Sequence, residues 1–295
     1  MPAHALWSRQ LRPRLRRNQI AYFLYGCLLR LQFELRASCS FLYWWFCGQR
    51  DYDGMPLPPP RLRYKVHGKL DETTFLTAGK QVFTDLESIL TAHLPAIDYP
   101  ARFLDFGCGC SRTLRHFLHS NFDWRYTGVD VDNDAMQWNQ AALPHAANWQ
   151  KIHDRPPLPF ANDSFDIIVA VSVFTHLDRE MQEQWLRELT RVLAPDGILI
   201  ISIHGQNVWG QVPQWCQAVE HSGVYFVRSN MGVRNFSGTP AYYQTALHSK
   251  SYVLDFWTRG KLSLLEYRET GINNYQDAIV LQKQAYRRGD ISCNS

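Results

Sequence analysis

The sequence predicts an α/β protein with an open, doubly wound and mostly parallel sheet that carries helices on both faces. Short apolar runs suited to buried strands alternate with segments whose apolar residues recur every three or four positions, as in helices. A glycine-rich turn follows the first predicted strand, and polar residues follow the later strands. Ligands bind beyond the carboxyl ends of the strands in such sheets, so these turns are the expected functional site.

Length and composition are typical of one large globular domain with an appendage. The chain has 295 residues, of which 45% are hydrophobic and 20% are charged. This composition allows a sizeable core and excludes a disordered or coiled-coil chain. Seven cysteines are too few for a disulfide scaffold, and their odd number indicates free thiols in a reducing compartment, which predicts a cytoplasmic protein.

Positive charge is concentrated at the start of the chain. Residues 1–36 hold seven arginines and a single acid, Glu34, so this segment carries +6. The whole chain carries +4, which leaves −2 on the remaining residues. A nearly neutral body disfavours a nucleic-acid substrate, because enzymes of that kind place positive charge around a groove.

The N-terminal arm, residues 1–55, has apolar stretches at 19–29 and 41–47. Three interpretations remain open: a secretory signal peptide, a membrane-contacting interfacial segment, and a helical cap or dimerisation surface. Charged residues between the two stretches count against the signal peptide. The proline-rich segment 56–60 predicts an extended connector to the body. Within the arm, apolar and polar side chains alternate around Leu31, Phe33 and Leu35.

The body, residues 61–285, is predicted to alternate helices and strands. Its predicted helices are 71–94, 111–120, 133–143 and 179–193. Its predicted strands are 101–106, 126–130, 149–152, 165–171 and 198–203, with a closing pair at 262–267 and 278–282. The segment 205–258 is long for a connection inside a compact domain, so we expect either a substrate cover or a helical extension with its own aromatic core. Its aromatic residues include Trp209, Trp215, Tyr225, Phe226, Phe236, Tyr242, Tyr243, Phe256 and Trp257.

The glycine-rich turn spans residues 105–111 and reads Asp-Phe-Gly-Cys-Gly-Cys-Ser. Gly107 and Gly109 allow a tight turn and let a ligand approach the backbone closely. A dinucleotide-binding fingerprint would need a third glycine at position 112, where this chain has Arg112. A nicotinamide or flavin dehydrogenase is therefore the less favoured interpretation.

Carboxylates follow the second and third predicted strands. Asp130 lies 21 residues after Gly109, where a carboxylate can accept hydrogen bonds from both hydroxyls of a ribose. Asp132 is a rival for that role in the same loop. Asp154 follows the third strand, where it could accept from an exocyclic amine of a base.

Three histidines follow predicted strands: His153, His176 and His204. A histidine at the mouth of a site can act as a general base near neutral pH, and His176 and His204 are the preferred candidates. Cys108 and Cys110 lack a partner pair with metal-ligand spacing, so no metal is expected.

Together these residues resemble class I S-adenosylmethionine (SAM)-dependent methyltransferases of the broad small-molecule type. The resemblance covers about residues 70–205, with the pair at 262–282 as the reversed end of the family's Rossmann-like sheet. The matching segments are 103–110, 128–130, 158–160 with 164–166, and 191–197.

The resemblance implies SAM as the cofactor and assigns a binding role to residues of four loops. Asp105, Gly107 and Gly109 would hold its methionine part, Asp130 its ribose and Asp154 its adenine amine, while Val171 and Ser172 would line the pocket. Cys108 and Val131 are predicted to contact the cofactor with their neighbours. Ser111 stands where the family often has a third glycine, and it could donate to the cofactor's carboxylate or cap the helix.

The loop after the fourth strand bears on the acceptor. Family members that methylate exocyclic amines of bases commonly carry an Asn/Asp-Pro-Pro-aromatic motif there, whereas this chain has Ser172-Val173-Phe174-Thr175. We therefore expect a small-molecule, sugar or lipid-linked acceptor that is methylated on oxygen, and not a nucleic acid. A non-catalytic adaptor and a membrane-docked partner acting through residues 1–50 remain alternatives, and the oligomeric state stays open.

Overall fold

A computed structural model describes residues 19–47, 54–94, 99–227 and 244–285. Its centre is a seven-stranded sheet of order β3-β2-β1-β4-β5-β9-β8, and β6 and β7 form a separate antiparallel pair. Strand β9 runs antiparallel to both of its neighbours, while β1 to β5 pair in parallel. This confirms the predicted mostly parallel sheet with a reversed last strand. The strands are β1 Arg102–Phe106, β2 Arg125–Asp130, β3 Asn148–Lys151, β4 Phe165–Ala170, β5 Leu193–Ile203, β6 Val224–Val227, β7 Thr245–His248, β8 Leu262–Ile272 and β9 Gln276–Lys283.

Helices cover both faces of the sheet, as the alternating pattern predicts. One apolar core lies between the sheet and α3, α4 and α5, and a second lies between the sheet, α6 and α9. The helices are α1 Gln19–Cys47, α2 Pro60–His67, α3 Glu72–His93, α4 Leu114–Leu118, α5 Asn133–Ala142, α6 Arg179–Val192, α7 Gln206–Trp209, α8 Pro213–Ser222 and α9 Lys250–Trp257.

Local sequence explains where the long helices begin. The Asp71 side chain accepts a hydrogen bond from the Thr74 amide at the start of α3, and Asp178 accepts from the Met181 amide at the start of α6. Each cap satisfies an amide that has no partner inside the helix. Strand β4 is buried at every position, which is why its sequence is a nearly continuous apolar run.

Two predicted elements differ from the structure. The helix predicted at 111–120 extends only over α4, because the chain first makes a turn in which Ser111 has a φ of 60°. The segment 205–258 is not irregular in its described part, where it forms α7, α8, the β6–β7 pair and α9. A hairpin and three helices therefore form most of the described part of this segment.

Helix α1 is one continuous helix that joins the two apolar stretches of the arm. It packs on α2 through the rings of Phe33 and Tyr64, whose centroids lie 4.6 Å apart. The Trp44 indole also donates to the Leu57 carbonyl oxygen at 2.9 Å. Among the helices described, none is long and apolar enough to cross a membrane. The first 18 residues of the arm lie outside the described part of the chain.

Candidate functional site

The turn at 105–111 and Asp130 meet at the carboxyl edge of the sheet. The Gly107 amide donates to the Val129 carbonyl oxygen at 2.8 Å, and the Gly109 amide donates to Asp130 Oδ2 at 2.8 Å. Gly107 has a φ of +83°, and a Cβ there would collide with the side chain of Val173. The turn thus needs glycine for its conformation and for its close contact with the neighbouring loop.

The Asp130 carboxylate is half-buried and forms hydrogen bonds with both the glycine turn and the loop after β2. Its Oδ1 accepts from the Asp132 amide at 2.8 Å. Burial raises the pKa of Asp130, although the amides of Asp132 and Gly109 oppose that rise. Each carboxylate oxygen has two lone pairs, so the group can accept further hydrogen bonds. Val131 beside it is 40% exposed, which leaves an apolar surface at the mouth of the site.

Asp132, the rival in this loop, is engaged elsewhere. Its side chain accepts from the Asp134 amide at 2.9 Å and caps α5. It also forms an ion pair with Lys65 of α2, with 2.8 Å between Nζ and Oδ2. Of the two acids, Asp130 is the one that contacts the glycine turn.

Asp105 lies at the end of β1 and is only 6% exposed. Burial and the nearby Asp130 charge raise the pKa of its carboxyl to about 7, while Arg112 acts in the opposite direction. A bound cation near Asp105 would stabilise the ionised form of this carboxyl and lower its pKa again.

Ser111 does not form the helix cap that was one of its two predicted roles. Its hydroxyl is buried and donates to Asn139 Oδ1 at 2.9 Å, and α4 has no side-chain cap. The Asn139 amide group in turn donates to the Gly109 carbonyl oxygen at 2.8 Å. Asn139 was missed by the sequence analysis, although an amide on the apolar side of α5, with Ala135 and Met136, was a detectable signal.

Cys108 contributes backbone to the turn, while its thiol is packed beneath it. A Cβ at Gly128 would meet the Trp149 ring at 2.5 Å and the Cys108 sulfur at 3.0 Å. Burial raises the pKa of Cys108 well above its ordinary value, so the thiol stays protonated. Among the described residues, no group of three His, Cys, Asp or Glu side chains is arranged to hold a metal.

The loop after β3 is exposed. Asp154 and His153 both face solvent, and the Asp154 carbonyl oxygen accepts from the Trp185 indole at 3.3 Å. Strand β3 is at the edge of the sheet, three strands from β4. His153 is therefore separated from the other two candidate histidines.

The loop after β4 is tied to β5 and β9 by a polar cluster. Val171 is half-buried, and Ser172 has a φ of 60° and donates its amide to Ser202 Oγ at 2.7 Å. Gln276 lies within 3.1 Å of the Ser172 hydroxyl and accepts from Ser202 Oγ at 2.6 Å. Ser202 and Gln276 carry no signal in the sequence, because only the folded sheet brings β9 beside β5.

His176 and His204 come together at this same edge. Their ring centroids lie 6.3 Å apart at nearly perpendicular planes, and Tyr275 lies 5.8 Å from His204. His176 Nδ1 lies 2.9 Å from the Gln244 carbonyl oxygen. Because a carbonyl oxygen only accepts, Nδ1 carries the proton in the neutral ring and Nε2 is the basic nitrogen.

Part of segment 205–258 is anchored directly beside these histidines. The Ala246 amide of β7 donates to the Thr175 carbonyl oxygen at 2.8 Å, and the His248 amide donates to that of His204 at 2.9 Å. Burial, followed by the nearby His204, lowers the pKa of His248 to about 3, so its ring is neutral and belongs to the core. Strand β7 thus lies against the loops after β4 and β5.

The aromatic residues of segment 205–258 differ in burial. Trp209 and Trp257 are buried in apolar cores, while Tyr225 and Phe256 are exposed. Phe236, Tyr242 and Tyr243 lie outside the described residues.

Asp277 fills the space next to Gly205 at the end of β5. Its Oδ2 accepts from the Tyr267 hydroxyl at 2.7 Å, and its Oδ1 accepts from the Thr270 amide at 2.8 Å. A Cβ at Gly205 would collide with this carboxylate. Gly205 is thus a second glycine whose missing side chain permits a close contact.

Comparison with known proteins assigns this architecture. Residues 104–199 match the model of a methyltransferase-domain family. The chain carries a class I SAM-dependent methyltransferase domain. The matched residues include most of β1, all of β2 to β4 and most of β5, together with Asp105, Asp130, Asp132 and Asp154. A solved structure of a protein from Pyrococcus horikoshii has the same fold, with a TM-score of 0.51 at 17% identity over 75% of this chain and 98% of that one.

The curated relatives described below are similar over about a third of this chain. Cyclopropane-fatty-acyl-phospholipid synthase of Escherichia coli is 30% identical over 106 residues, which are 36% of this chain and 27% of that protein. The tRNA N(3)-cytidine methyltransferase of Gallus gallus is 24% identical over 123 residues, or 37% of this chain and 33% of its own length. The chain thus matches about a third or less of each of these relatives.

Proposed function

We propose that the protein transfers the methyl group of SAM to an oxygen of a small-molecule, sugar or lipid-linked acceptor. The observation that carries this proposal is the hydrogen bond between the Gly109 amide and Asp130 Oδ2, which joins the glycine turn to the acid at the end of β2. A ligand with a ribose and a flat base, such as SAM, suits an edge that offers a carboxylate beside an exposed valine.

The residues at this edge fit the charge and shape of SAM. Asp105 is a buried carboxyl whose ionised form an amino-acid ammonium group would stabilise, and Asp130 has lone pairs left for ribose hydroxyls. The glycines leave the backbone accessible. We assign cofactor binding to Asp105, Gly107, Cys108, Gly109, Ser111, Asp130, Val131, Asp154, Val171 and Ser172. Ser111 also supports the turn through its hydrogen bond to Asn139.

When bound, SAM supplies an electrophilic methyl group on a sulfonium sulfur. Asp105, the glycine turn and Asp130 would hold SAM so that this methyl group passes to the acceptor oxygen, and the electrons of the broken carbon–sulfur bond would stay on sulfur. We assign the removal of the acceptor's hydroxyl proton to His176 or His204. The carbonyl of Gln244 holds the His176 ring in the tautomer that such a base requires.

The acceptor class is supported by three observations. The loop of Ser172 to Thr175 lacks the motif common in base-methylating relatives, and the chain after residue 36 is nearly neutral. One relative is named for a phospholipid reaction, although another is named for tRNA. We further propose segment 205–258 as the cover of the acceptor, since β7 lies against both histidine loops.

Titration of the protein with SAM tests the proposed cofactor role of Asp130. Hydrogen bonds to a charged group contribute about 1.5–3 kcal/mol each, so Asp130→Ala should weaken SAM binding at least about tenfold. Asp134→Ala is the matched control, because Asp134 is an exposed acid in the same region and should leave the affinity unchanged. Equal affinities of the Asp130→Ala protein and the wild type would refute the assignment.

A transfer assay with methyl-labelled SAM tests the acceptor. We expect label in a fraction of lipids, sugars or small hydroxyl compounds, and none in bulk tRNA. Label in tRNA would contradict the proposed acceptor class. Tight SAM binding without label in any fraction would instead favour the non-catalytic adaptor.

A further inference from the structure

Helix α1 exposes a continuous apolar face. Most of its members lie three, four or seven residues apart, so they share one side of the helix. Leu28 is 62% exposed and Phe46 is 77% exposed. Single exposed apolar side chains are ordinary, but a contiguous patch marks an interaction surface. We call this face the α1 stripe, which consists of Leu24, Leu28, Leu31, Leu35, Leu42, Trp45 and Phe46.

The opposite face of α1 is held by the rest of the protein. Ala37 is fully buried, Phe33 packs on Tyr64, and the Trp44 indole donates to the Leu57 carbonyl oxygen. The α1 stripe therefore points away from the body. A helix that is packed along one side can lie on a lipid surface, but it cannot cross one without losing these contacts.

The charge of α1 and of the segment before it is mostly positive. Residues 1–47 contain seven arginines, no lysine and a single acid, Glu34. Glu34 is already paired with Arg61 of α2. Arg36 is exposed on the helix itself, and five of the arginines directly precede it in the sequence. The charge next to the stripe thus favours a negatively charged partner.

We propose that the α1 stripe docks the protein on an anionic lipid surface, with α1 lying in the plane of the headgroups. The leucines would enter the apolar boundary, and the aromatic residues at its end would lie at headgroup level. Arginines would contact lipid phosphates. An apolar face and a basic segment together supply the two contributions that stable peripheral binding requires.

A second copy of the chain fits the α1 stripe less well. Paired helices are selected by opposite charges beside their apolar seam. Here two stripes face to face would bring arginines together, while Glu34 is held by Arg61. Charge complementarity therefore distinguishes a lipid surface from self-association.

Flotation of the full-length protein with vesicles tests the proposal. We expect binding to phosphatidylcholine vesicles that contain phosphatidylglycerol, and much weaker binding to phosphatidylcholine alone or at high salt. Leu31→Glu should reduce binding by about tenfold or more, because a charge would replace a leucine that the lipid buries. Arg36→Gln should reduce it by about fivefold on the anionic vesicles.

The matched control is Leu265→Glu, which changes an exposed leucine of β8 in the same way and should leave binding unchanged. Leu35→Glu changes a second leucine of the α1 stripe and should also reduce binding, so the test does not depend on the folding of a single variant. Wild-type protein that does not float with anionic vesicles overturns the proposal, as does equal flotation of Leu31→Glu. A wild-type dimer that Leu31→Glu converts to monomer, measured by sedimentation, would show a second copy on the stripe instead.

Discussion

The two sides of the site are built in different ways. On the β1–β2 side, the glycine turn, Asp130 and Asn139 are joined by hydrogen bonds between residues 21 to 30 positions apart in the chain. On the β4–β5 side, the corresponding bonds join Ser172 to Gln276 and His176 to Gln244, which are 104 and 68 positions apart. The first side is local in sequence, whereas the second forms only when distant parts of the chain meet.

This difference matters for function. A shared cofactor can be held by a short, self-contained motif, because its shape does not vary from enzyme to enzyme. The acceptor differs from one enzyme to the next. Here the proposed acceptor side is formed by β9 and segment 205–258, which both follow β5 in the chain. Perturbing the two sides should therefore alter different measurable quantities.

The largest expected effect is on turnover from the β4–β5 side. General-base catalysis contributes about 100-fold to 10,000-fold, so His176→Ala or His204→Ala should lower kcat within that range without changing SAM affinity. His153→Ala is the control, because His153 is exposed three strands away. If neither substitution slows methylation of the acceptor found by the transfer assay, the base lies elsewhere.

The next effect concerns the buried acid of the β1–β2 side. The pKa of Asp105 is raised from 3.8 to about 7, so the folded protein holds this proton more tightly than the unfolded chain does. Stability contributed by the protonated form is present below pH 3.8 and is lost as the pH rises to about 7. Asp105→Asn should thus raise the free energy of unfolding above pH 7 by up to about 4 kcal/mol, while weakening SAM binding.

Urea unfolding at several pH values checks this sign. Asp166→Asn is the matched control, since Asp166 is a buried aspartate that accepts from Arg102 Nη2 at 2.7 Å. Burial alone would raise the pKa of Asp166, but its hydrogen bonds from Arg102 outweigh burial and lower it. Asp166→Asn should therefore destabilise the protein at neutral pH. A loss of stability in Asp105→Asn above pH 7 would contradict the assigned charge state.

The smallest expected effect separates the two sides most cleanly. Gly107→Ala and Gly205→Ala each place a Cβ against a neighbour, and Gly107 also has a positive φ. We expect a loss of about 2–3 kcal/mol in unfolding free energy for Gly107→Ala and somewhat less for Gly205→Ala. Gly107→Ala should weaken SAM binding, whereas Gly205→Ala should lower turnover and leave SAM affinity unchanged. Equal effects of both on SAM affinity would remove the distinction between the sides.

The sequence was most informative where structure follows from local pattern. Apolar runs identified the seven strands of the central sheet, although not β6 and β7. The order of the strands also correctly placed Gly109 and Asp130 together, because parallel neighbours share a carboxyl edge. The helix predicted at 111–120 was too long, since Ser111 adopts a left-handed conformation that glycine usually favours. That conformation is stabilised by Asn139, which no local pattern around the turn reveals.

Other features depend on packing that a sequence pattern does not show. Leu31, Phe33 and Leu35 alternate as in a strand, yet they lie in α1, because Phe33 faces α2 while the two leucines are exposed. The neutral pair of His248 with Gln182, 3.1 Å apart, was also missed. Buried polar residues of this kind are recognised only once their partners are known.

The reversed direction of β9 has a consequence for how the protein is made. Because β9 enters the sheet antiparallel, its first residues, Gln276 and Asp277, arrive at the edge where the parallel strands end. Those residues emerge from the ribosome after the other six strands of the central sheet. The β1–β2 side can assemble early on a nascent chain, but the β4–β5 side waits until β9 has been synthesised. A shortened product would therefore retain the cofactor motif and lack the polar cluster beside the histidines.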